Sequence, residues 1–291
     1  IVFDEPLDSS NMGPSAWVKI AGIIEENYSS YDGFVVLHGS DTMAFSASAL
    51  SFMLEGLNKP VIFTGSQLPI GTIRTDGKEN LITAIQIAGD RHDERPVIPE
   101  VAIYFENSLL RGNRTSKVSA EHFEAFQSPN YPPLAETGVN IKYNQHAVMS
   151  SELKTLKVRK SLENKIASIR FFPGITKEYL EAVTRMEGIR GLVLETFGAG
   201  NAPMEPWLTE LFQKLIEKDV LLLNITQCNT GSVNQSLYET GIHLEKMGVL
   251  SGKDMTFEAA ITKMMYLLGC EELQLGEVKH LMTANLRGEI S

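Results

Sequence analysis

The sequence predicts an α/β fold in two domains, a larger amino-terminal domain on a mostly parallel sheet and a smaller carboxyl-terminal α/β domain. Three observations predict it. Short apolar runs at Phe34–Leu37, around Val61 and at Val101–Phe105 are continuous rather than alternating, as in strands covered on both faces. Helical patterns separate those runs, which is the order of βαβ units. The alternation restarts at Ile166 after a turn-rich and then polar stretch, dividing the 291 residues into 1–148, a linker at 149–165, and 166–291.

Each element has its own justification. The polar loop Asp8-Ser9-Ser10 runs into Pro14, which suits the first turn of a helix whose apolar stripe is Trp17, Ile20, Ala21 and Ile24. The strand Phe34–Leu37 then ends in His38-Gly39-Ser40-Asp41-Thr42. Gly39 permits a tight turn there, and Ser40 and Asp41 are suited to cap the helix carrying Met43, Ala44, Ala47, Leu50 and Leu54. A second strand ends in Thr64-Gly65-Ser66-Gln67, and Thr75 to Asn80 lead into a helix with Leu81, Ala84, Ile85 and Ala88. After the third strand comes the polar run Arg111-Gly112-Asn113-Arg114-Thr115-Ser116-Lys117, of a kind that is usually solvated surface when it stands alone. Beyond Ile166, strands are expected at 166–172, 191–196 and 220–226, with helices near 176–183, 205–216, 257–268 and 273–282.

Composition narrows the function classes. A net charge of −10 disfavours a nucleic-acid or anionic-membrane surface. No apolar stretch approaches the length of a membrane span, since the run near Val220–Leu223 is short and bounded by Asn224. Two cysteines, Cys228 and Cys270, lie far apart with no CxxC, which argues against a disulfide scaffold or structural zinc. Cys228 reads as a small buried residue, His38 and His122 as packed or hydrogen-bonded histidines, and the Met264-Met265 pair as core or interface.

In open α/β sheets ligands bind at the carboxyl ends of strands, where the sequence puts a hydroxyl beside a carboxylate, Ser40 and Asp41. An amine with its ammonium form disfavoured, such as a buried Lys117, could accept a proton there, with Asp41 orienting it or holding a substrate ammonium group. Spacing alone does not bring these residues together.

The segments HGSDTMA, TGSQ, RGNRTSK, FGAGNAP and TQC, in this order, resemble the bacterial-type L-asparaginase family and its cytoplasmic type I branch. The resemblance covers the chain from Asp8 to its end. It implies hydrolysis of the side-chain amide of L-asparagine to aspartate and ammonia through a threonine nucleophile, assisted by a catalytic triad of Ser40, Lys117 and Asp41. Ser9 would hold the substrate α-carboxylate, with Asp8 and Ser10 as weaker candidates, and Asn201 would reach the active site of a neighbouring subunit in a homodimer or homotetramer. Backbone N–H groups near Ser40 and Asp41 would stabilise the oxyanion. No cofactor or metal is implied, and the location implied is cytoplasmic.

The sequence departs from that family's pattern at three places. The T-G-G-T segment with the nucleophilic threonine does not occur in these residues, so the nucleophile is expected upstream of Ile1. Serine stands at position 40 where the family has threonine, and Glu195 stands where allosteric members have an arginine. The alternative function is an amino-acid-binding or regulatory protein with this fold and no catalysis. A third, the amidase subunit of a tRNA-dependent amidotransferase, is disfavoured by the acidic charge and the lack of a further tRNA-binding domain.

Overall fold

A computed structural model describes residues 1–3, 5, 7–150 and 155–291. The chain forms two compact units, Ile1–Lys160 and Ser161–Ser291. In the first, α1 (Pro14–Asn27) precedes β1 (Phe34–Leu37), α2 (Met43–Met53), β2 (Val61–Thr64), α3 (Gly77–Gly89) and β3 (Val101–Phe105). Pro14 opens α1 as expected, and α1 buries Trp17, Ile20, Ala21 and Ile24. Strands β1, β2 and β3 are neighbours and parallel, with Phe34 opposite Val61 and Val61 opposite Val101.

The remainder of this sheet runs the other way. Glu106, at φ 55°, reverses the chain into β4 (Ser108–Arg111), which pairs antiparallel with β3. Further antiparallel pairs add β5 (Ala135–Thr137) and β6 (Ile141–Tyr143). The sheet is therefore mixed, where a mostly parallel one was expected. The reason is local, since a tight reversal joins antiparallel neighbours without the long crossover that a parallel partner requires. A second correction concerns β1. Instead of being covered on both faces it is the sheet's edge strand, half-buried, with Leu37 65% exposed. The deeply buried strands are β2 and β3, and Ile62, Ala102 and Tyr104 pack with Ala84 and Ile87 of α3.

The stretch expected as linker contributes Lys157–Val158, paired antiparallel with Leu54–Glu55 inside the first unit, and its residues 151–154 lie outside the described residues. In the second unit β7 (Ile166–Arg170), α4 (Lys177–Thr184), β8 (Gly191–Thr196), α5 (Pro206–Ile216), β9 (Leu221–Thr226), α6 (Glu239–Met247), β10 (Leu250–Ser251), α7 (Phe257–Leu268) and α8 (Leu275–Thr283) follow in order. Its four strands are all parallel. Helix α6 and strand β10 were not anticipated. Cys228, expected to be buried, is exposed just past β9. Met264 is fully buried in α7, as a core residue should be.

Candidate active site

The site grows from the carboxyl ends of β1 and β2. Ser40–Thr42 form one turn of 3-10 helix ahead of α2, and no side chain caps either helix. The capping role expected of Ser40 and Asp41 is thereby corrected, because both side chains turn outward to other partners. The Lys117 ammonium donates to Ser40 Oγ at 2.9 Å and to Asp41 Oδ1 at 2.7 Å. Hydroxyl, carboxylate and amine are thus brought together from positions 76 and 77 residues apart. The Lys117 side chain is 18% exposed and that of Asp41 63%, so the ion pair faces solvent and contributes at most about 1 kcal/mol to stability.

What places Lys117 there is the segment before it. Arg111, Asn113, Arg114 and Thr115 are all buried, although their composition reads as solvated surface. Arg111 pairs with the buried Glu100, its Nε 2.5 Å from Oε2, and donates to the carbonyl of Ala147 at 2.7 Å. Thr115 Oγ1 closes the following turn on the Arg111 carbonyl at 2.7 Å. Ser116–Lys117 then pairs with Phe126–Gln127. Arg111 can be buried because its charge is answered from outside the segment, by Glu100 and the Ala147 carbonyl.

Gln67, unassigned by sequence, belongs to the site. Its Nε2 donates to the carbonyl of His122 at 3.1 Å, which turns Oε1 toward Ser40, and the Ser40 hydroxyl donates to it at 2.8 Å. The buried Asp76 holds the Gln67 backbone by accepting its N–H at 3.0 Å, and it also accepts from Leu68 N–H and Asn80 Nδ2. The motif TGSQ and the polar residues Thr75 to Asn80 ahead of α3 carry the signal. Nothing in their spacing showed that one holds the other.

The Asp8-Ser9-Ser10 loop lies against the same turn. Ser9 is buried, its carbonyl accepts from Thr42 Oγ1 at 2.7 Å, and its side chain covers Gly39 so closely that a Cβ there would lie 2.6 Å from Ser9 Oγ. Gly39 is required by that approach. Asp8 accepts from both the N–H and the hydroxyl of Ser10, which holds its carboxyl below the usual range. Asn201 is in the second unit, where its Oδ1 accepts from Thr240. Glu195 is half-buried, and burial raises its pKa against the opposing influence of Arg170. Among the described residues no group of three or more His, Cys, Asp or Glu is placed to hold a metal ion, and no helix is long and apolar enough to cross a membrane.

Comparison with known proteins bears on what this arrangement does. Residues 2–149 match the family model described as "Asparaginase, N-terminal", and residues 165–282 match "Glutaminase/Asparaginase C-terminal domain". The chain is 44% identical to the mouse 60 kDa lysophospholipase over 99% of its own length, and it spans half the length of that relative. It is 42% identical to L-asparaginase 1 of Escherichia coli K12, with 98% of this chain and 82% of the relative covered. The crystal structure of L-asparaginase I from Vibrio cholerae superposes with a TM-score of 0.90 at 44% identity, over 99% of this chain and 85% of the other.

Proposed function

The chain belongs to the asparaginase family, and from that premise we propose that it hydrolyses the side-chain amide of L-asparagine to L-aspartate and ammonia. The observation that carries the proposal is the placement of Lys117 against both the Ser40 hydroxyl and the Asp41 carboxylate. The nucleophile in this scheme is a threonine in sequence upstream of Ile1. Its Oγ attacks the amide carbon, and its proton passes through Ser40 to Lys117 in the amine form. Asp41, 2.7 Å away, holds the resulting ammonium. The tetrahedral species expels ammonia, which takes that proton back, and water then hydrolyses the acyl-threonine. In the resting arrangement the Ser40 hydroxyl donates to Gln67, so the relay requires that hydroxyl to turn from Gln67 toward Lys117.

Ser9 in this scheme holds the α-carboxylate of the substrate, flanked by Asp8 and Ser10. A homodimer or homotetramer in the cytoplasm, with Asn201 completing a neighbour's site, belongs to the same proposal. Light scattering that gives a monomer at micromolar concentration contradicts that part. The test of the activity is ammonia release by the full-length protein from L-asparagine, alongside calorimetric binding of L-aspartate. Turnover supports the proposal. Binding without turnover favours an amino-acid sensor on the same fold and overturns it.

A further inference from the structure

His38 takes no part in the scheme above, yet its imidazole is bonded at both nitrogens. Nδ1 lies 2.6 Å from the carbonyl oxygen of Gly39, and Nε2 lies 2.8 Å from Ser46 Oγ. Ser46 is fully buried on α2 and is also the acceptor for the indole N–H of Trp17 on α1, at 2.8 Å. Two of these three contacts have a fixed direction. A carbonyl oxygen only accepts, so Nδ1 carries a hydrogen. The indole N–H only donates, so it occupies a lone pair of Ser46 and leaves the Ser46 hydroxyl proton free to go to Nε2. Burial pushes the His38 pKa down, which keeps the ring neutral with Nε2 bare. Protons are thus ordered from Trp17 through Ser46 and His38 to the carbonyl of Gly39.

That carbonyl belongs to the peptide whose N–H is that of Ser40. In a trans peptide the two groups point in opposite directions, so fixing the carbonyl on His38 aims the Ser40 N–H away from the ring. The same peptide is held from its other side by Ser9, packed over Gly39. Upstream, the His38 N–H is tied to the carbonyl of Thr64 at 2.9 Å, and the ring lies 5.8 Å from that of Phe63. His38 is thereby tied to β2 through its backbone and packed against Phe63 through its ring.

We infer that His38 is a positioning residue: as the neutral Nδ1–H tautomer, ordered by Trp17 and Ser46, it sets the Gly39–Ser40 peptide and so the presentation of Ser40 and Asp41 to Lys117. The consequence for catalysis rests on the function proposed above, while the tautomer and the geometry do not.

The test uses the full-length protein and three readouts. Long-range ¹H–¹⁵N correlation on the native protein at neutral pH is expected to show His38 protonated at Nδ1 and bare at Nε2, and in Ser46→Ala the share of the Nε2–H form is expected to grow. A native Nε2–H tautomer overturns the inference. The second readout compares His38→Asn, whose Nδ2 stands where Nδ1 was and can still donate to Gly39, with His38→Gln, whose amide reaches only the Ser46 side. Reactivity of Lys117 toward acetic anhydride, mapped by mass spectrometry, is expected to stay native in the Asn variant and to rise severalfold in the Gln variant. Equal reactivity in the two overturns the inference. Third, kcat on L-asparagine is expected to stay within about threefold in the Asn variant and to fall roughly 10- to 100-fold in the Gln variant with KM little changed, the cost of a misplaced catalytic group. If the native protein does not turn over asparagine, the proposed function fails and the first two readouts still decide this inference. If neither variant folds, the native tautomer decides it.

Discussion

Replacing Glu100 by alanine should be among the more damaging single changes in the first unit. Its carboxylate is 6% exposed and accepts from Arg111 Nε at 2.5 Å, from Arg111 Nη2 at 3.3 Å and from the N–H of Met149 at 2.9 Å. Without it the guanidinium of Arg111, 3% exposed, keeps the Ala147 carbonyl and the ring of Tyr131 at 4.4 Å but loses its counter-charge. Stranding one member of a buried pair costs about 3–5 kcal/mol, and the orphaned Met149 amide places Glu100→Ala toward the upper end. At roughly 2–4 °C per kcal/mol for a unit of this size, the midpoint should fall by about 6–20 °C. The chain has two tryptophans, and a Trp207→Phe background leaves Trp17 to report unfolding of the first unit alone in urea. Pairing Glu100→Leu with Arg111→Met should recover the part of the loss due to the stranded guanidinium, because two apolar residues need no partners, and leave the part due to the Met149 N–H. A cost below about 1 kcal/mol for Glu100→Ala, or a double variant as unstable as the sum of the singles, would refute the reasoning.

Two other carboxylates of the first unit, Asp76 and Asp90, make separate contacts whose removal is also measurable. Asp76→Ala removes the acceptor for Gln67 N–H, Leu68 N–H and Asn80 Nδ2, and it should lower stability by about 2–3 kcal/mol in urea titration; no change would show that the Gln67 backbone is held by something else. Tyr143 donates to Asp90 at 2.5 Å, and burial together with that carboxylate raises its pKa well above 10. Above pH 10 the unfolded chain therefore binds fewer protons at this site than the folded one, and stability falls with a limiting slope of at most about 1.4 kcal/mol per pH unit from this half-exposed group. Tyr143→Phe should flatten that alkaline limb in denaturation curves taken between pH 9 and 11, and an unaltered slope would contradict the assignment.

The parts of the fold legible in the sequence are those in which burial leaves a compositional mark. Val101–Phe105 and Leu221–Thr226 are apolar runs between turn residues, and α7 carries an apolar stripe ended by Gly269. The antiparallel half of the first sheet was hidden because Ala135-Glu136-Thr137 and Ile141-Lys142-Tyr143 are short and mostly polar, as a strand pair at a sheet edge can be. Helix α6 was hidden because its nine residues bury only Gly241 and Leu244. In the site, Ser40, Asp41 and Lys117 were found by motif, and spacing would not have joined them. Arg111 to Thr115 show the opposite error. Their charges suggest surface, yet Glu100 and the Ala147 carbonyl satisfy Arg111 inside, and sequence shows a charge without showing its partner. The roles of Gln67 and His38 depend on which atom faces which, and that is set only by the folded chain.

The proposed chemistry depends most directly on Lys117. In the full-length protein, Lys117→Met keeps an unbranched stem one atom shorter and removes the three donors of the ammonium, and with them the bonds to Ser40 and Asp41. Loss of a positioned proton-transfer group predicts a fall in kcat on L-asparagine of about 10²- to 10⁴-fold with the thermal midpoint within a few degrees of native. Native turnover by the Lys117→Met protein would contradict the account.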